Sequence, residues 1–216
     1  MTAPSHHLPE ALLIGYATGT GDVVSSLVAE THVNLCPACR ASADEVETLG
    51  GAVLCDLAPA ELPPGALEAL MARLDEPVAA PPAPLPPLPS FVPPALQPFV
   101  HEAGGLRWKW VLPGVHKLEL RVRVGGRPVQ LVRFRKGLDI GLHGHEGTEI
   151  SVVLQGGFTD AGGHYVAGDV AVVDASVSHR PVADDEGEDC ILLVASEGAS
   201  LPLSPLGKLV GKLIRF

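Results

Sequence analysis

Two hydrophobic periods run along this chain, one in each half. Before residue 77 the apolar positions recur at helical spacing. Pro9-Glu10-Ala11-Leu12-Leu13-Ile14-Gly15-Tyr16 opens with a proline suited to a first helical position. It runs out near Gly19-Thr20-Gly21, which predicts a first helix. From Asp22 to about Leu35, the residues Val23, Val24, Leu27, Val28 and Leu35 predict a second. Pro37 restarts the chain; Cys39 to Leu49 reads as a third helix and Gly65 to Leu74 as a fourth. In the second half the period becomes two. Leu118, Leu120, Val122 and Val124 alternate with Lys117, Glu119, Arg121 and Arg123, and Gly125-Gly126-Arg127 makes a turn. Residues 129–135, 150–154, 169–173 and 190–194 are further short apolar runs between glycine-rich turns. Such spacing predicts an all-β barrel or sandwich. No internal repeat is apparent.

Proline marks the change of period. Ten of the 21 prolines fall from Pro77 to Pro98. Proline fixes φ and lacks the backbone donor, so this stretch is expected to be a semi-rigid extended linker. The expected organisation is therefore multidomain α + β. Residues 1–76 form a small all-α bundle, 77–98 a proline-rich linker, and 99–216 an all-β barrel. About 75 residues is near the lower limit for an autonomous core, and such domains commonly need a staple.

Composition narrows the function. The chain is 46% hydrophobic but only 4% aromatic, so its core must be built from Ala, Val and Leu. The formal charge is −10. Residues 1–76 carry Arg40 and Arg73 against eleven acids, a formal −9, and the remainder is close to neutral. Direct nucleic-acid binding, which rests on neutralising phosphates, is not expected. A surface that acidic attracts basic ones. No apolar run reaches the ~20 residues of a bilayer span, and no signal peptide is read at the start, so the expectation is a cytoplasmic protein. Four cysteines in such a chain suggest metal rather than a disulfide framework.

Two constellations carry chemistry. In the first, His32-x3-Cys36-x2-Cys39, the histidine and first cysteine share a helix face and Pro37 turns the chain so that Cys39 returns to the same point. One imidazole and two thiolates suit tetrahedral Zn²⁺, which needs a fourth ligand. His6 and His7 are the nearby candidates, and Cys55 is a weaker one because it lies past Gly50-Gly51. In the second, His143 and His145 are two apart and point to one side of a strand, with Glu149 able to face inward after a turn. Gly168-x5-Asp174-x-Ser176-x2-His179 brings a further imidazole from another strand. Three imidazoles and a carboxylate suit Zn, Mn, Fe or Ni, and ligand type does not choose among them. No catalytic acid/base residues are identified.

Both constellations resemble known patterns. Gly137-x5-His143-x-His145-x3-Glu149-x6-Gly156 matches the first motif of the cupins, a family of jelly-roll barrels. The stretch from Gly168 matches the second motif in spacing, departing at Asp174, Ser176 and Ala183 but not at the ligand His179. His32, Cys36 and Cys39 resemble the motif of the zinc-binding anti-sigma factors, and the whole chain looks like their ChrR type. That resemblance implies His7 as the fourth ligand of a structural zinc, with His6 as its rival. It also implies a helical domain that sequesters an extracytoplasmic-function (ECF) type sigma factor, and release in response to singlet oxygen or related oxidative stress sensed through the cupin domain. Cupin barrels often pair, so a homodimer is a further expectation. The alternatives are a cupin-type metal-dependent dioxygenase and a small-molecule-binding cupin.

Overall fold

The computed structural model describes residues 3–74, 76, 85–124 and 126–202. The first eight residues of the expected linker, 77–84, lie outside them, as do residues 203–216 of the expected barrel domain.

Helix α1 (Glu10–Ala17) begins after Pro9, whose carbonyl accepts the N–H groups of Leu12 and Leu13. Helix α2 (Val23–Leu35) is capped by Asp22. That carboxylate accepts from the backbone N–H of Val24 (2.9 Å) and Ser25 (3.1 Å), a cap of about 1 kcal/mol. Val28, Ala29, Thr31 and His32 of α2 are fully buried, a wider face than an amphipathic helix needs. The reason is its position: α2 packs on α1 and on helix α3 (Pro37–Cys55) as well as on the sheet described below.

Helix α3 extends past the Leu49 expected from sequence and runs through Gly50-Gly51 to Cys55. Each internal glycine costs a helix about 1 kcal/mol, but neither adopts the left-handed backbone of a helix-ending glycine. Leu49, Val53 and Leu54 are therefore carried on a continuous helix, and all three face solvent. Helix α4 (Ala66–Leu74) follows, with no residue buried.

The expected linker does not stay extended to residue 98. Val92 and Leu96 are buried, Pro94–Leu96 forms a 3₁₀ turn, and α5 (Gln97–Glu102) continues from it with Val100 in the core. Pro94 and Pro98 occupy first-turn positions, where the missing N–H has no helical partner to lose. The proline count concealed this, because it ignored the apolar residues between the prolines.

Among the described residues twelve strands then follow, with every ladder antiparallel: β1 (Lys109–Leu112), β2 (Val115–Val124), β3 (Arg127–Phe134), β4 (His143–His145), β5 (Glu149–Gln155), β6 (Gly157–Asp160), β7 (Gly163–Val166), β8 (Val170–Val173), β9 (Ser178–His179), β10 (Val182–Ala183), β11 (Cys190–Ser196) and β12 (Ser200–Pro202). One sheet has the order β1-β2-β3-β11-β5-β8, and two three-stranded sheets have the orders β10-β6-β7 and β12-β4-β9. The alternation on β2 behaves as period two requires, with Leu118 and Leu120 buried. Those side chains meet Leu131, Val152 and Leu193 in a core that also holds Leu13, Val28 and Val33 of the helices. The helical part and the barrel thus share one apolar core among the described residues. No described helix is long and apolar enough to cross a membrane.

Candidate metal centres

The turn between α2 and α3 builds the first centre. The Cys36 N–H closes the last turn of α2 on the His32 carbonyl (2.7 Å), and Cys36 is also the residue from which α3 starts. Arg40 locks the corner by donating to the carbonyls of Val33 (3.0 and 3.2 Å) and Asn34 (3.0 Å). One ligand atom from each of His7, His32, Cys36 and Cys39 lies within 4.8 Å of all the others. His7 Nδ1 is 3.4 Å from Cys36 Sγ and 3.6 Å from Cys39 Sγ. Of the two adjacent tail histidines, His7 joins this group and His6 does not; the His6 ring lies on Tyr165 instead, with centroids 4.2 Å apart. Cys55 is exposed at the far end of α3.

The His32 ring shows what the cluster is suited to hold. Nδ1 donates to the Gly168 carbonyl (2.7 Å), which leaves a lone pair on Nε2. That Nε2 is buried and has no hydrogen-bond partner. A buried acceptor facing two sulfurs and a second imidazole fits Zn²⁺. Burial lowers the pKa of His32, mainly by desolvation, so the ring is held neutral as a ligand must be. Burial pushes the Cys39 thiol up, and the neighbouring Cys36 adds to the rise. Zinc must therefore displace protons, and its affinity should climb with pH toward that raised value. Zinc uptake at neutral pH is expected to release protons, measurable by calorimetry in buffers of differing ionisation enthalpy. Uptake without release would say that the thiols are not ligands.

The second centre is set by strand register. β4 pairs with β9 so that His143 stands directly opposite His179, and His145, two residues along, shares the face of His143. His179 Nε2 lies 3.1 Å from His143 Nε2 and 3.0 Å from His145 Nε2. Tetrahedral zinc with bonds of about 2.0–2.1 Å separates its ligand atoms by about 3.3 Å. The other ring nitrogens fix the tautomers. His179 Nδ1 is 2.6 Å from Asp160 Oδ2, and His143 Nδ1 is 3.1 Å from the Gly141 carbonyl. Both partners accept, so both rings carry a proton on Nδ1 and turn Nε2 toward each other, where the two nitrogens would ligate a cation. Burial keeps His143 neutral by lowering its pKa.

Glu149 is not in that group. The three histidines come together without it, and its Oε2 lies 3.6 Å from His145 Nδ1, a buried nitrogen with no hydrogen-bond partner. This carboxylate faces the outer side of a histidine ring, opposite the ligand nitrogens.

Three supporting roles escaped the sequence reading. Asp160 orients His179. Gly168 supplies the carbonyl that orients His32. Asp169, fully buried, accepts from the N–H groups of Ser5 (2.6 Å), His6 (2.9 Å) and Val166 (2.8 Å). Burial would raise its pKa, but the N–H groups of Val166, His6 and Ser5 together outweigh burial and hold it below the ordinary value. Nothing in the local sequence marks these roles, because each depends on a partner far along the chain.

The chain is similar to known proteins over nearly its whole length. Residues 96–198 match the family described as the ChrR cupin-like domain. The anti-sigma-E factor ChrR of Cereibacter sphaeroides is 36% identical over 213 residues, covering 98% of each chain. The crystal structure of Rhodobacter sphaeroides SigE in complex with the anti-sigma ChrR matches with a TM-score of 0.72 at 35% identity, over 90% of this chain and 99% of the matched one. An RmlC-like cupin from Ralstonia eutropha is 27% identical with a TM-score of 0.42, over 46% of this chain and 68% of that one.

Proposed function

The chain belongs to the ChrR family of anti-sigma factors, and from that premise we propose that it is a negative regulator of transcription that binds and sequesters an ECF-type sigma factor. The observation that carries this reading is an unpartnered apolar surface on the acidic helical part. Leu67, Leu70, Met71 and Leu74 of α4 recur at helical spacing and are all more than half exposed. Leu49, Val53 and Leu54 of α3, and Leu57 beyond it, add to the exposed apolar surface. Surfaces of this kind mark protein partners. The crystallised ChrR relative is held in a complex with SigE.

Charge supplies the selectivity. A sigma factor must present basic surfaces to promoter phosphates, and a helical part at formal −9 competes for them. Complex formation is expected to slow and weaken as salt is raised from about 0.05 to 0.5 M, because the Debye length then falls well below 10 Å. Surface plasmon resonance against a salt series checks this, and an on-rate indifferent to salt would contradict it. Sequestration would take place in the cytoplasm, where the polymerase is met.

His7, His32, Cys36 and Cys39 would hold a structural zinc whose binding energy becomes folding energy for the helical part. His143, His145 and His179 would hold zinc, manganese, iron or nickel in the barrel, and Glu149 is the proposed fourth ligand, for which its carboxylate would have to turn inward from the outer face of His145. We attribute the response to singlet oxygen or related oxidative stress to this second centre. Helix α2 buries apolar side chains in the core shared with the barrel, so the test belongs in the full chain rather than in a truncated one. His143→Ala is expected to keep sigma binding and to abolish stress-triggered release in a reporter assay. Normal release by this variant would remove the barrel centre from the response.

One observation favours a second reading. With Glu149 turned to the outer face of His145, three imidazoles leave coordination positions for a small molecule, as a dioxygenase requires. Turnover of a diketone or thiol by the iron-loaded protein would support it.

A further inference from the structure

We infer that the hairpin β6–β7, with the turn that follows it, is a shared outer shell for both metal centres and couples them, the barrel holding the zinc-binding tail in place. The inference rests on the reading of the His7–His32–Cys36–Cys39 cluster as a zinc site. At one end of the hairpin, Asp160 fixes the ring of His179 in the barrel centre. At the other end, the consecutive residues Gly168 and Asp169 fix two ligands of the helical centre. Gly168 orients His32 through its carbonyl, and Asp169 holds the backbone of Ser5 and His6, the two residues before His7. The Val170 N–H adds a third bond to that tail, donated to the His6 carbonyl (3.0 Å).

The tail also lies along the connecting strand. Its His6 ring rests on Tyr165 of β7, and a Cβ placed on Gly163 would come 3.2 Å from His6 Nε2. At Gly168, with φ +99°, a Cβ would come 2.6 Å from Pro4 Cγ, so only glycine admits the tail at that point. The turn is itself a fixed platform. Gly168 donates to the Val153 carbonyl (2.8 Å) and Val153 donates to the Asp169 carbonyl (2.9 Å), which ties it to β5. The hairpin pairs Asp160 with Gly163 and Gly157 with Val166, so about 10 Å of strand separates its two ends. A shift of His179 on losing its metal moves Asp160, and the same rigid hairpin carries the displacement to the tail. Asp169 is a positioning residue here: it acts on His7 through the backbone.

The test uses the full chain with cobalt in both centres. Only the helical centre has thiolate ligands, so the thiolate-to-cobalt charge-transfer band reports its occupancy alone. Metal loss to a chelator is followed for the wild type, Asp169→Asn, His143→Ala and the double variant, with barrel metal content and thermal unfolding measured alongside. Asp169→Asn is expected to speed loss from the helical centre by about tenfold, the scale of outer-shell substitutions, while leaving barrel metal in place. His143→Ala, which empties the barrel, is expected to speed it in the wild-type background but not in the Asp169→Asn background. Unchanged loss in Asp169→Asn, no effect of His143→Ala in the wild type, or equal effects of it in both backgrounds would overturn the coupling. Absence of the band in the wild type would instead overturn the zinc reading and, with it, this inference.

Discussion

A protein carrying Cys36→Ser and Cys39→Ser is expected to lose the metal of the helical part, keep that of the barrel, and no longer capture a sigma factor. The serines are close in size to the thiols, so the cause would be the lost ligation. Structural zinc contributes about 10–16 kcal/mol to small zinc-folded units, comparable with the ~5–15 kcal/mol stability of a whole domain. Here α2 keeps part of its support, because Val28 and Ala29 stay buried in the shared core. The loss should therefore concentrate in the tail and α3, which supply His7 and Cys39, and in α1, which packs on α3. Elemental analysis gives the metal count, and amide exchange over residues 5–55 gives the extent of unfolding. Retention of both metals, or full protection of α3 without its zinc, would refute the structural role.

Replacing Leu67, Leu70 and Leu74 with glutamate is the second large effect expected. These side chains touch no core, so folding and metal content should be unchanged. If a partner covers them, each contributes about 1.5–3 kcal/mol on burial, and the triple change should lower affinity by several orders of magnitude. Added charge alone would not have that effect, and three glutamates placed on the exposed acidic stretch around Asp44 and Glu45 serve as the control. Equal loss in both proteins would assign the defect to charge rather than to the apolar face.

The readable parts of this protein were the local ones. The period of two on β2, the start of the second helix at Asp22 and the His143–His145 spacing each depend on neighbours within a few residues. Long-range packing decided the rest. His6 and His7 are chemically identical and adjacent, and what separates them is the grip of Asp169 on the two residues before His7, more than 160 positions away in the chain. Gly50-Gly51 looked like a helix end because glycine favours one, but α3 continued through it. The prolines before residue 98 looked like a free spacer, yet Val92 and Leu96 between them reach the core. Glu149 fits its motif in spacing, while its carboxylate lies behind His145.

The central claim is that a zinc-stapled acidic helical unit holds a sigma factor. It is tested most directly by titrating the full-length protein into its cognate ECF-type sigma factor by calorimetry, before and after zinc is stripped from the Cys36–Cys39 centre, with re-addition of zinc as the final step. Tight one-to-one binding that disappears on stripping and returns with zinc is the result expected. Binding of equal strength by the zinc-free protein, or none by the zinc-loaded one, would contradict it.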